Sequence, residues 1–282
     1  MLDVYIKKAT NEEIENLFFL DECGLGTLVP EHRVVNNEII YKKETVLPVA
    51  AMFDIKLFPK ICEDILVNLY KIKRKKFSSG IYSYINTEYP LIKVCDNKVN
   101  YISYLKLEFE NIINKFNMLN TKSEYAEFTA CFFKFVMNRF EKYIDYKNDY
   151  FSLLHGDFHI GNIVFSDNLD SYKIIDFEYI RYGMPELEIA NFIVQLLDGG
   201  EYVEAKFKKY AYYILIKAYD LLHIDMKIVY SLFIPMLLFF RIWRSTNEVN
   251  IKQKLVKNVI LNISEKYIKG EYDEFITCNS AI

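Results

Sequence analysis

The sequence predicts an α+β chain of two lobes: a small N-terminal sheet lobe over residues 1–50 and a larger, mostly helical lobe over residues 51–282. Three observations carry that expectation. Residues 3–8 alternate in polarity as a short strand does, and helix and hairpin signals follow them. From Leu57 onward, apolar residues recur at helical spacing. Between Leu153 and Phe177 that rhythm gives way to a glycine-containing loop and a short hairpin. At 282 residues and 52% hydrophobic content, the chain is long and apolar enough to bury a core for two lobes that share a cleft.

Taken in order, Val4 and Ile6 fall on one face of the first strand and Tyr5 and Lys7 on the other. Thr10-Asn11-Glu12-Glu13 reads as a cap and acidic first turn for a helix to about Glu22, closed by Gly24. Arg33–Val35 and Glu38–Tyr41 flank Asn36-Asn37 as a hairpin. Ile61, Ile65, Leu66 and Leu69 share a helical face that ends at a basic, exposed run from Lys71 to Lys76. Residues 77–100 read as loop with room for short strands. A long helix fits Tyr125 to about Tyr146, with Phe128, Cys131, Phe132, Phe135 and Val136 among its apolar residues. Strands are expected at Ile163–Phe165 and Tyr172–Ile175, joined by the polar turn 166–171. Helices follow near 187–197, 201–222, 226–246 and 251–268.

Composition narrows the classes of function. A net charge of -3 with both signs interspersed offers no basic stripe for a phosphate backbone, so no nucleic-acid partner is expected. The 5 cysteines are scattered and form no CxxC pair, which argues against a disulfide framework or a zinc site and fits a reducing cytoplasm. Met1 to Lys8 lacks the pattern of a secretory leader. The longest apolar stretch, Ile228 to Phe240, contains Pro235 and is too short to span a bilayer, so no membrane role is expected.

The segment that breaks the helical rhythm carries the chemistry. Transfer of a γ-phosphoryl group needs a residue that orients and accepts the proton of the attacking hydroxyl, and oxygen ligands that hold Mg2+ against the phosphates. His155-Gly156-Asp157-Phe158-His159-Ile160-Gly161-Asn162 places Asp157 and Asn162 on one tight loop. Ile174-Ile175-Asp176-Phe177-Glu178 places Asp176 at a strand end that can face the same cleft. Asp157 is the candidate base, Asn162 a neutral oxygen ligand, and Asp176 the anionic ligand a hard cation demands. A single Asp beside glycine is ordinarily a turn or strand-end residue. The ordered set, with a hairpin between its halves, is what points to phosphoryl transfer.

These residues resemble the aminoglycoside phosphotransferase and choline kinase superfamily, whose fold is protein-kinase-like. His155 to Asn162 looks like its catalytic loop and Ile175-Asp176-Phe177-Glu178-Tyr179 like its metal-binding segment. Gly183-Met184-Pro185-Glu186-Leu187-Glu188 is similar to the stretch that follows, although Met184 and Glu188 stand where the family usually has Asp. The resemblance implies ATP and Mg2+ as cofactors and a small-molecule alcohol as acceptor. It gives His155 a packing and hydrogen-bonding role in the loop, and leaves His159 either touching phosphate or filling a variable position.

Val4-Tyr5-Ile6-Lys7 resembles the kinase strand whose lysine pairs the nucleotide phosphates and a glutamate on the next helix, which implies Lys7 and Glu13. On that alignment the chain starts at the third strand of the small lobe, one hairpin after the family's glycine-containing loop, and Tyr41 to Val49 forms the hinge where adenine binds. An alternative of another class follows: a kinase-like binding or regulatory protein of impaired turnover. The Asp176-Phe177-Glu178-Tyr179 wording is closest to choline and ethanolamine kinases, which implies Glu178, Tyr179 and the single tryptophan, Trp243, as acceptor contacts. Arg241 and Arg244 beside Trp243 oppose a cationic acceptor, and a core position for Trp243 is the competing reading. An aminoglycoside acceptor needs an acidic pocket, whereas Asp198, Glu201, Glu204, Asp220 and Asp225 look scattered on helix ends.

Overall fold

The computed structural model describes residues 4–42, 45–46, 69–75, 77–78, 94–95, 100–119, 126–147, 150–166, 171–199, 214, 220, 223–247 and 251–270. The first unit is a three-stranded antiparallel sheet with one helix. Strand β1 (Val4–Lys8) pairs with β3 (Glu38–Lys42), which pairs with β2 (His32–Val35); Tyr5 lies opposite Tyr41 and Lys7 opposite Ile39. The hairpin turns through Asn36 and Asn37, both at positive φ (50° and 61°), a geometry asparagine tolerates and a tight hairpin needs.

Helix α1 (Asn11–Glu22) starts where expected. The Thr10 side chain accepts a hydrogen bond from the Glu13 backbone N–H at 3.1 Å, filling one of the donors a helix start leaves open. Its Leu17 and Leu20 are buried. In β1 the alternation marks faces without marking a core: Val4, Tyr5 and Ile6 are all exposed, and Lys7 is the residue that turns inward.

Strand β4 (Thr45–Val46) leaves this sheet and pairs with β9 (Ile163–Phe165), beside β10 (Tyr172–Ile174). The expected hairpin therefore forms and gains a third strand from the N-terminal region. The expected lobe boundary at residues 50 and 51 lies outside the described residues. So do Ile61, Ile65 and Leu66, and most of the helix expected at 201–222.

The basic run is exposed as expected and also carries a strand. Lys73 and Arg74 form β5, paired with β8 (Phe151–Leu154), which pairs on its other edge with β11 (Arg181–Gly183). Their side chains are exposed, as the charge implies, but the backbone is committed to the sheet that leads into the His155–Asn162 loop. β6 (Phe77–Ser78) and β7 (Val94–Cys95) are paired short strands of the kind for which residues 77–100 leave room.

Helices form the remaining core. α2 (Tyr101–Lys115), capped by Asn100, has no counterpart among the expected elements; α3 (Ala126–Lys142), α4 (Pro185–Gln195), α5 (Ile234–Asn247) and α6 (Ile251–Ile268) fall close to their expected spans. Before α5 the chain runs through the helical turn Met226–Ile228 and a π-helical segment, Val229–Phe233. Pro235 explains the wider turn, because it has no N–H to continue an α ladder. Phe109 of α2 meets Phe140 of α3 and Phe239 and Phe240 of α5 at ring-centroid distances of 5.6, 5.4 and 5.1 Å. Truncating such a fully buried ring costs about 3–5 kcal/mol. Among the described residues no helix is long and apolar enough to cross a membrane.

Candidate active site

Strand β8 delivers the chain into His155 to Asn162, and β9 carries it away. Gly156 makes the turn: its φ is 91°, and a Cβ there would lie 1.8 Å from the Tyr179 carbonyl oxygen. Only glycine passes at that distance.

His155 is fully buried and joins the two halves of the motif. Its Nε2 lies 2.9 Å from the Ile175 carbonyl oxygen, and its Nδ1 accepts the Asp157 backbone N–H at 3.3 Å. A carbonyl only accepts, so Nε2 carries the proton. Burial holds the ring neutral by pulling its pKa down to about 4. Asp157 is thereby tied, through one imidazole, to the residue before Asp176.

Asn162 is buried and donates its side-chain N–H to the Asp157 carbonyl oxygen at 2.9 Å. That bond fixes the amide so that its oxygen remains an acceptor. Asp176 sits just past β10 in the left-handed region, with φ 68°. A non-glycine residue in that region stores strain, and such positions cluster at functional sites.

Lys7 reaches this point from the first sheet. Its ammonium lies 2.9 Å from Glu13 Oε1 and 2.5 Å from Asp176 Oδ1, bridging β1, α1 and the end of β10. Burial acts to lower the Lys7 pKa, but the hydrogen bonds and charges of Asp176 and Glu13 outweigh it and hold the group protonated. Burial raises Glu13, which is 1% exposed, and Lys7 opposes that shift. Asn16 adds a second tie between α1 and this segment, donating to the carbonyl oxygens of Phe177 and Glu178 at 2.9 and 3.2 Å.

Asp157 is partly buried, and burial pushes its carboxyl up to about 6, with the charge of Asp176 adding to the shift. A carboxylate poised there is ionised at neutral pH yet basic enough to take a hydroxyl proton during transfer.

The loop is held from beneath by Glu188 of α4. Its Oε1 accepts the His155 N–H at 2.8 Å and the Tyr70 hydroxyl at 3.1 Å, and its Oε2 accepts the Gly156 N–H at 2.7 Å. Arg181 donates to the Gly156 carbonyl at 3.2 Å and Asn191 to the Phe158 carbonyl at 3.2 Å. Where the sequence reading gave Glu188 only the placement of a helix, the carboxylate fixes the backbone beside Asp157. A charged residue inside the apolar run Leu187-Glu188-Ile189-Ala190 was the available signal.

The profile of the ecdysteroid kinase-like family matches residues 73–219, more than half of the chain and inclusive of Asp157, Asn162 and Asp176, though not of Lys7 and Glu13. The chain belongs to that family. Solved structures agree in fold. A glucosamine kinase superposes with a TM-score of 0.62 at 10% identity over 93% of this chain and 73% of that one. A choline/ethanolamine kinase family protein from Mesorhizobium loti gives 0.56 at 10% identity over 95% and 86%. A thermostable mutant of an aminoglycoside phosphotransferase gives 0.53 at 11% identity over 95% and 86%. At these identities the likeness is one of fold, and the chain has the two-lobed α+β protein-kinase-like fold. No curated protein matches the chain by sequence.

Within this ecdysteroid kinase-like chain, Lys7, Glu13, Asp157, Asn162 and Asp176 converge. Glu178 and Tyr179 follow Asp176 in a short turn, both half-buried, and Asp157, Asp176 and Glu178 all bear on the Tyr179 hydroxyl. Trp243 lies on α5, and its side chain is outside the described residues. Arg241, next to it on α5, is engaged with Gln195 at 2.6 Å. Of the expected hinge, Tyr41 is buried in β3; residues 43–44 and 47–49 are outside the described residues.

Proposed function

We propose that this chain is an ATP- and Mg2+-dependent phosphotransferase acting on the hydroxyl of a small molecule, choline- or ethanolamine-like. The supporting observation is the Lys7 bridge: an ammonium from the first strand lies between Glu13 and Asp176, while His155 ties the Asp157 loop to the residue before Asp176. Mg2+ is ordinarily held by one or two protein oxygens together with substrate phosphates. The residues present fit that demand. Among the described residues no three acidic, His or Cys side chains form a cage, but the Asn162 amide bonds Asp157 through its N–H and keeps its oxygen as an acceptor, and Asp176 is partly exposed. Asn162 and Asp176 would hold the metal, which would offset the charge of the phosphates.

Lys7 steadies the nucleotide phosphates. Asp157 orients the acceptor hydroxyl and takes its proton as the oxygen–phosphorus bond forms. Glu178 and Tyr179 line the acceptor side. The scattered cysteines fit a cytoplasmic location.

The test is ADP release with Mg·ATP across choline, ethanolamine, glucosamine, an aminoglycoside and an ecdysteroid, run beside Asp157→Ala. Acceptor-dependent release that Asp157→Ala abolishes without unfolding is expected. Failure to transfer to every acceptor, with no rise in melting temperature on adding Mg·ATP, would refute the reading, since a ligand that selects the native state must stabilise it.

A further inference from the structure

His159 is the residue of the loop to which the reading above gives no task. It follows Asp157 by two positions, in extended backbone with φ -151°. Its ring packs over Gly161, where an added Cβ would meet His159 Cε1 at 2.8 Å and Nδ1 at 2.9 Å. The glycine makes room for the imidazole.

Two distances define the state of that ring. The Gly161 backbone N–H donates to Nδ1 at 3.0 Å, and Nε2 lies 3.8 Å from Asp157 Oδ2. In a neutral imidazole one nitrogen accepts and the other donates. With Nδ1 occupied as the acceptor, the proton is on Nε2, the nitrogen that faces the Asp157 carboxylate. The other two polar side chains of the loop are directed at backbone atoms: His155 at Ile175 and the Asp157 N–H, Asn162 at the Asp157 carbonyl.

We infer that His159 is a positioning residue for Asp157: its Nε2–H takes one carboxylate oxygen and so reserves the other for the acceptor hydroxyl. The separation of 3.8 Å in the free protein is too long for a hydrogen bond, and on this reading it shortens when the acceptor binds. Catalytic hydrogen bonds that are long in a free enzyme tighten in the complex. The inference rests on the phosphotransferase reading. With both oxygens free to rotate, Asp157 presents a misdirected lone pair in part of the population; with Oδ2 held, Oδ1 points at the hydroxyl throughout.

Two substitutions separate this task from the local one of capping the loop. In His159→Asn the side-chain oxygen takes the place of Nδ1 and keeps the Gly161 N–H bonded, but the chain stops short of Asp157. In His159→Gln an amide N–H reaches the Nε2 position. The expected result is a kcat lowered about tenfold or more in His159→Asn, with KM for Mg·ATP unchanged and kcat largely retained in His159→Gln. Wild-type kcat in His159→Asn, or equal losses in both variants, would overturn the inference while leaving the phosphotransferase reading intact.

A second measurement needs no turnover. Long-range 1H–15N spectra of the full chain should show His159 with Nε2 protonated and Nδ1 bare, and Gly161→Ala should abolish that pattern. A His159 protonated on Nδ1 overturns the inference even if every acceptor assay fails, an outcome that counts separately against the proposed function.

Discussion

Glu188→Gln tests whether a helix carboxylate organises the catalytic loop. Glu188 is fully buried, and its two oxygens accept the backbone N–H groups of His155 and Gly156 together with the Tyr70 hydroxyl. Glutamine preserves the volume but replaces one oxygen with an NH2 group. Either orientation of the amide sets two donors against each other, at His155 or at Gly156. Hydrogen bonds to a charged group are worth about 1.5–3 kcal/mol, and a stranded buried N–H adds to the loss. Burial raises the Glu188 carboxyl against the pull of those N–H groups, so an uncharged amide recovers part of the cost of burying charge. The net expectation is a destabilisation of about 2 kcal/mol, equivalent to a melting temperature about 5 °C lower for a chain of this size. Because the lost bond lies beside Asp157, kcat should fall about tenfold or more with little change in KM for Mg·ATP. Thermal and urea unfolding measure the first effect and acceptor-dependent ADP release the second. A variant that is as stable and as active as wild type refutes the argument; one that is less stable but equally active shows that Glu188 supports the fold without positioning the loop.

Other expectations follow from single contacts. Lys7→Met leaves the buried Glu13 carboxylate unpaired; partial exposure of Lys7 and Asp176 moderates the cost to about 2 kcal/mol, and KM for Mg·ATP should rise, as read by urea unfolding and nucleotide titration. Gly156→Ala forces a Cβ to 1.8 Å from the Tyr179 carbonyl at a φ of 91°, so strain of about 1–3 kcal/mol and the steric overlap add together, and the variant should melt well below wild type. Glu186, buried at the start of α4 with Oε2 lacking a hydrogen-bond partner, has its carboxyl pushed from 4.5 to about 7, first by burial and then by Asp225. An acid whose folded pKa lies above its unfolded value binds more protons in the native state, so its contribution falls as pH rises from about 4.5 to about 7 and then levels, by about 3 kcal/mol in total. Urea unfolding from pH 4.5 to pH 8 should show that decline in wild type and a flatter profile in Glu186→Gln; parallel profiles would exclude Glu186 as its source.

The legible parts of this chain were those whose causes are local. Thr10 capping α1, Asn36-Asn37 turning the first hairpin, and the β9–β10 hairpin each depend on bonds between residues close in sequence. The less legible parts depend on partners far away. Lys73 and Arg74 read only as part of a basic, exposed run because their side chains are exposed; their strand character comes from β8, which supplies the backbone partners. α2 has no counterpart among the expected elements, although Asn100 caps it and Leu105, Phe109, Ile112 and Ile113 form its buried face. The exposed faces of β1 show the converse: alternation without a core behind it.

By itself the sequence determined which side chains the loop presents, because Asp157, Asn162 and Asp176 come with the turn and hairpin that carry them, and these are properties of a short stretch of chain. The tertiary structure alone decided that Lys7, 169 positions before Asp176, reaches Asp176 as well as the Glu13 that the resemblance pairs with it, and that Glu188, 33 positions after His155, fixes the backbone beneath Asp157. Ion pairs and buried hydrogen bonds across such distances are selected by packing, which no local pattern of residue types records.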